Sequence, residues 1–170
     1  MYGYSYFDFQ NAARWPYYMV QWGFDNCAAF GFPGAKSVDV YPEWQRTLQH
    51  GTPKYAIWCL GMNDVDSDTE INTEWKTYVD KFIEDCTSIG IEPILATIPN
   101  TPNRRHTYKN DYVKSSNRRY IDFADAVNAS EYPASWFDGM LNTDNTHPLK
   151  EGAVALAIRA ITDIPELVQQ

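Results

Sequence analysis

Cationic side chains are scarce in this chain: 14 Lys and Arg stand against 22 Asp and Glu, giving a net charge of -8 and a pI near 4.7. The largest basic clusters are the pairs Arg104-Arg105 and Arg118-Arg119, so nucleic acid is not expected as a partner. Long hydrophobic runs are absent as well. No segment reaches the ~18 consecutive apolar residues that a membrane span requires, and the N-terminus lacks the basic-then-apolar pattern of a signal peptide. No membrane span is expected, and the sequence assigns no compartment and no oligomeric state. Cysteine is rare, and the odd set of Cys27, Cys59 and Cys86 cannot close completely into intramolecular disulfides. All three sit among apolar residues, which predicts buried free thiols. No Cys or His spacing fits a zinc site and no Gly-rich phosphate loop occurs, so neither a metal nor another cofactor is expected.

What the chain does have is length for one core and an abundance of aromatics. Its 170 residues suit a single domain over 1–170. Trp15, Tyr17, Tyr18, Trp22, Tyr41 and Trp44 crowd the first quarter. Core packing accounts for them, and a platform for sugar rings is the rival reading.

Strand and helix patterns alternate along the chain. An amphipathic stretch spans Asn11 to Gly23, with Pro16 acceptable only in a first helical turn. A short strand, Asn26 to Phe30, leads into the loop Gly31-Phe32-Pro33-Gly34. A helix then covers Val38 to His50, stopped by Gly51. Lys54 to Leu60 reads as a buried strand. The strongest helical periodicity runs from Thr69 to Ile89, where Ile71, Trp75, Tyr78, Val79, Phe82, Ile83, Cys86 and Ile89 recur at three- and four-residue steps before Gly90. Ile91 to Ile98 is a second buried strand, Thr107 to Ser116 a short helix and Tyr120 to Phe123 a last strand. The final helix begins at Pro148 and turns Val154, Ala157, Ile158 and Ile161 inward. Repeated strand-helix-strand units predict a three-layer α/β/α sandwich with a parallel sheet. In such sheets ligands bind beyond the carboxyl ends of the strands, where Gly31 to Gly34, Gly61 to Asp64 and the loop after Ile98 all fall.

Two short stretches carry chemistry. In Asp144-Asn145-Thr146-His147-Pro148 the carboxylate can fold back to accept the ring Nδ1-H, which leaves Nε2 free to take a proton from a nucleophile. The same residues can also build an ordinary turn or helix cap. In Gly61-Met62-Asn63-Asp64 the Asn amide at a strand end can donate to an oxyanion, and this too has a turn as its plain alternative. Gly34 lets a backbone N-H approach a substrate, or serves only the bend. His50 reads as a helix C-terminal residue, and His106 as part of a solvated loop beside Arg104 and Arg105.

Taken in order, a glycine loop, Gly-x-Asn-Asp, and Asp-x-x-His-Pro before the last helix resemble the SGNH or GDSL-type hydrolases over nearly the whole chain, from about Trp15 to Leu167. The resemblance implies a flavodoxin-like α/β domain and a serine esterase that cleaves small acyl esters, including acetyl groups on carbohydrates. It implies His147 as general base, Asp144 as its partner, and Asn63 and Gly34 as oxyanion-hole donors, with Gly31 a rival for Gly34. The departure is at the front, where family members carry a strand followed by Gly-Asp-Ser and this chain reads Met1-Tyr2-Gly3-Tyr4-Ser5. Either Gly3-Tyr4-Ser5 stands in for that motif, making Ser5 the nucleophile, or the chain lacks the first strand and its serine. The latter predicts a catalytically silent fragment or ligand-binding domain. A flavodoxin-like signalling or cofactor-binding domain would leave Asp144 and His147 without a task.

Overall fold

The computed structural model of the protein describes residues 15–23, 29–67, 69–130 and 134–167. Three of the predicted apolar runs become parallel strands: β1 (Tyr55–Trp58), β2 (Glu92–Ala96) and β3 (Tyr120–Ile121), in the order β1-β2-β3. Ile57 aligns with Ile94, Trp58 with Leu95, and Leu95 with Tyr120. Side chains alternate across a strand, so Ala56, Trp58 and Leu95 share one face while Ile94, Ala96 and Ile121 share the other. All six are buried. Such two-sided burial is why these runs read as continuously apolar.

The first face packs under helices α2 (Ser37–Thr47), α3 (Thr73–Ser88) and α4 (Thr107–Ser115). Trp75, Val79, Phe82, Ile83 and Cys86 from α3 meet Ala56, Trp58, Leu95 and Ile98, with Val113 from α4 and the partly buried Trp44 from α2. The indole of Trp44 lies 5.0 Å from the Phe82 ring, edge-on, a favoured geometry for aromatic pairs. Asn110 finishes the sheet where β2 ends: its carboxamide accepts from the Ile98 N-H at 2.7 Å and donates to the Ile98 carbonyl at 2.9 Å.

The predicted Thr69 start of α3 is four residues early. Asn72 caps the helix by accepting the Trp75 N-H, while the Ser67 hydroxyl accepts the Glu70 N-H and holds the preceding residues in a turn. The stop lies where expected. Gly90 takes φ +79, and the Ile91 N-H reaches back to the Cys86 carbonyl at 2.9 Å.

This sheet-bearing unit comprises Gly34–Ile98 and Arg104–Ile121; a second unit gathers the described residues before Gly34, Pro99–Asn103 and the described residues from Asp122 onward. In the second unit α1 (Trp15–Gln21) does carry Pro16 in its first turn, and packs Tyr18, with Trp15 and Tyr17, on Ala153 and Ala157 of the final helix, α6 (Lys150–Asp163). The crowded aromatics thus serve mainly as packing, although Trp22 is 42 % exposed. Between these helices lie α5 (Phe123–Val127) and an antiparallel pair, β4 (Asn128–Ser130) with β5 (Ser135–Trp136). The strand predicted over Tyr120 to Phe123 is cut short because Asp122 caps α5, accepting the Asp125 N-H.

The inward face of α6 matches the expected one in part: Ala157 is buried and Val154 packs against the same cluster. Gly152, Ala153, Leu156, Ala157 and Ala160 are buried, whereas Ile158 is 50 % exposed. Small residues at these spacings let helices approach closely, so glycine and alanines take inward positions while the bulkier Ile158 faces out. Most of the predicted strand Asn26 to Phe30, like Cys27, lies outside the described residues, and Ala29 and Phe30 are not in a strand. Cys86 is buried, its thiol pushed up to about 12 by burial and by Asp85. Cys59 is an exposed free thiol, contrary to expectation, because β1 ends at Trp58 and leaves it in the following loop.

Candidate active site

The loop from Leu141 to Pro148 is closed by a bridge between those two residues, and the Asn142 N-H donates to the His147 carbonyl at 2.9 Å. Asn145 takes φ +56, a left-handed conformation that Asn tolerates better than most residues. Across this turn one oxygen of Asp144 accepts the N-H groups of Thr146 and His147, each at 2.9 Å. The other oxygen lies 2.8 Å from His147 Nδ1. Hydrogen bonds from the His147 backbone and ring, and from Thr146, hold the Asp144 carboxyl down at about 2. An ionised carboxylate only accepts, so Nδ1 is the donor in this contact, and a neutral ring held this way carries its lone pair on Nε2. The imidazole is 74 % exposed. Gly152 sets α6 against this loop: a Cβ there would stand 2.4 Å from the Met140 carbonyl oxygen.

The Gly61 to Asp64 loop leaves β1 under equally tight packing. Gly61 has φ +134, and a Cβ on it would lie 2.3 Å from Ile98 Cδ1 and 2.5 Å from Trp75 Nε1. Only glycine meets both demands. Asn63 donates from Nδ2 to the Ala35 carbonyl at 3.0 Å and accepts at Oδ1 from Arg104 Nη1 at 2.6 Å. Arg104 has donors only, so these contacts fix which way the amide is turned and leave the second Nδ2 hydrogen for another acceptor. Gly34, with φ +73, sits one residue before Ala35 in an open position where a Cβ would touch nothing within 4 Å. Asp64, adjacent to Asn63, is buried and accepts the Ser37 N-H and hydroxyl at the start of α2. Burial raises its pKa against the pull of Ser37 and Lys109.

The structure therefore brings Asp144 together with His147, and Asn63 together with the loop after Gly34. The first pair belongs to the second unit, Gly34 and Asn63 to the sheet-bearing unit, and Ser5 lies outside the described residues.

Sequence reasoning missed the residues that hold the Asn63 loop. Lys109 is buried, its Nζ 2.9 Å from Asp66 Oδ1 and also donating to the Asp64 carbonyl. Burial lowers its pKa against the opposing charges of Asp66 and Asp64. These partners stand 43 and 45 residues away, beyond any local spacing rule. His106 corrects an expectation: it is fully buried immediately before α4 instead of solvated. Burial, then Lys109 and Arg104, pull its pKa down to about 3. The unfolded chain therefore binds this proton between pH 6.5 and 3 while the folded chain does not, so stability rises with pH through that window and is fully gained above it. Urea midpoints across pH 3 to 7 are expected to show this rise reduced in His106→Gln, by up to about 1.4 kcal/mol per pH unit. Identical slopes would refute the assignment.

No family model and no curated protein matches the chain. Solved structures do. A G-D-S-L family protein from Desulfitobacterium hafniense DCB-2 superposes with a TM-score of 0.74 at 20 % identity, covering 89 % of each chain. The chain has the SGNH/GDSL-type α/β fold. An alpha/beta hydrolase enzyme from the metagenome of Lake Arreo, Spain, gives 0.68 at 18 % identity, over 91 % of this chain and 83 % of that one. An acetylxylan esterase from Geobacillus stearothermophilus gives 0.67 at 19 %, over 89 % and 80 %. This SGNH/GDSL-type fold agrees with the parallel α/β class that the strand-helix alternation predicts.

Proposed function

We propose that the protein is a serine ester hydrolase of the SGNH type. The observation that carries this reading is the Asp144 and His147 pair, in which a strongly acidic carboxylate fixes the imidazole with Nε2 as proton acceptor. In the proposed cycle the serine oxygen attacks the ester carbonyl as Nε2 takes its proton. The tetrahedral intermediate collapses, and His147 passes that proton to the departing alcohol. Water, deprotonated by the same nitrogen, then releases the acid and restores the serine. Asn63 and the Gly34 N-H donate to the oxyanion. Ser5 is assigned as nucleophile.

The substrate class is a small acyl ester, and the fold match to an acetylxylan esterase favours acetyl groups on a carbohydrate. Treatment with a fluorophosphonate probe followed by peptide mass spectrometry tests the proposal. An adduct on Ser5 that disappears in His147→Ala is the expected result. No adduct would overturn it and leave a binding domain of hydrolase ancestry.

A further inference from the structure

Two cations that the esterase reading does not use converge on the Asn63 loop. Lys109 grips it at Asp64 and Asp66, and Arg104 grips it at Met62 and Asn63, with one guanidinium nitrogen 3.1 Å from the Met62 carbonyl and 2.6 Å from Asn63 Oδ1. Lys109 acts only as an anchor, since it touches backbone and a buried carboxylate. Arg104 touches the side chain assigned to the oxyanion.

We propose that Arg104 is the positioning residue of the oxyanion hole, holding the Asn63 carboxamide in its donating orientation and polarising the N-H that faces the acyl oxygen. The assignment rests on the esterase reading of Asn63. A carboxamide can turn over at little cost, exchanging oxygen for nitrogen, and an amide presenting its oxygen would repel a developing anion. The cation on Oδ1 and the Ala35 carbonyl on Nδ2 make the reversed orientation unfavourable from both ends. A hydrogen bond to a charged donor is roughly twice as strong as a neutral one. It also draws electron density toward Oδ1, so the remaining N-H becomes a better donor. The segment carrying Arg104 is well anchored, because His106 and Lys109, two and five residues on, are both fully buried.

The experiment is a double-mutant cycle on hydrolysis of p-nitrophenyl acetate with Arg104→Met, Arg104→Lys, Asn63→Ala and Arg104→Met/Asn63→Ala, accompanied by thermal melts. Removing one oxyanion donor costs on the order of 10²-fold or more in kcat. Arg104→Met is expected to lower kcat by on the order of 10- to 100-fold with KM within twofold, and Arg104→Lys to recover part of that loss. In the Asn63→Ala background the same substitution is expected to change kcat less than twofold, since no amide remains to orient. An Arg104→Met enzyme within twofold of wild type, or one that loses as much kcat without Asn63 as with it, overturns the assignment. A further readout separates positioning from scaffolding. In the ¹⁵N spectrum, the two Asn63 side-chain amide protons are expected to be strongly inequivalent in the wild type and to move toward ordinary Asn shifts in Arg104→Met, while backbone shifts beyond the loop stay fixed. Unchanged side-chain shifts also overturn it. A wild-type protein with no turnover and no sensitivity to His147→Ala removes the esterase reading itself, and the assignment with it; loss confined to the Arg104 arms leaves that reading standing.

Discussion

Lys109→Met is expected to cost about 3–5 kcal/mol of folding free energy, the range for breaking a buried ion pair from one side. The side chains of Lys109 and Asp66 are both fully buried, and a methionine of similar length fills the space without supplying a donor. Two acceptors then lose their partner in a low-dielectric interior: the Asp64 carbonyl and Asp66 Oδ1. Asp66 cannot swing toward water. Its Oδ1 also accepts the Asn72 N-H at the head of α3, and its Oδ2 accepts the Lys109 N-H within α4. Joining Asp66→Asn to Lys109→Met is expected to recover only part of the loss: no buried charge is left alone and the amide oxygen still serves the Asn72 N-H, but the amide nitrogen then faces the residue-109 N-H, donor to donor. Chemical denaturation of the four proteins measures this. A Lys109→Met protein within 1 kcal/mol of wild type would show that water reaches the pair.

Asp144→Asn is expected to lower kcat on ester substrates by on the order of 10⁴-fold, with little change in stability. The asymmetry of the two oxygens leads to this result. One accepts two backbone N-H groups, and an asparagine oxygen can do the same, so the turn survives. The amide nitrogen must then face His147 Nδ1, where the second carboxylate oxygen stood. It donates into Nδ1 and drives the ring proton to Nε2, the atom proposed to accept the serine proton. Fluorophosphonate labelling is expected to slow in parallel while the melting temperature moves by no more than a few degrees. Wild-type turnover in this variant would remove Asp144 from the mechanism.

The two results differ in how visible their residues are in the sequence. Asp144 and His147 are legible because the interaction closes within one turn, so spacing alone predicts that they can meet. The helical core is legible for the same reason, since Trp75, Val79, Phe82, Ile83 and Cys86 repeat with the period of the helix that buries them. Lys109 is not. Nothing in its local sequence singles it out, and only the return of the chain, 43 residues after Asp66, explains its burial. Arg104 and Asn63 are 41 residues apart and likewise carry no mutual signal. His106 reads as solvated in the sequence because its neighbours Arg104 and Arg105 are charged, whereas those side chains find partners at Met62 and Asn63 and at Thr107. In α6 the signal was weak for a different reason: alanines pack by being small, which no scale of hydrophobic bulk rewards.

The sheet-bearing unit is drawn from two stretches of chain, and the other unit owns the short interruption Pro99–Asn103 as well as what lies on either side. In genetic terms neither unit is a cassette. A crossover between two homologous genes anywhere from Gly34 to Asp122 would leave at least one unit with parental segments that never evolved together. Exchange of blocks across that span would therefore mix two parental packings inside at least one unit, whichever boundary is chosen.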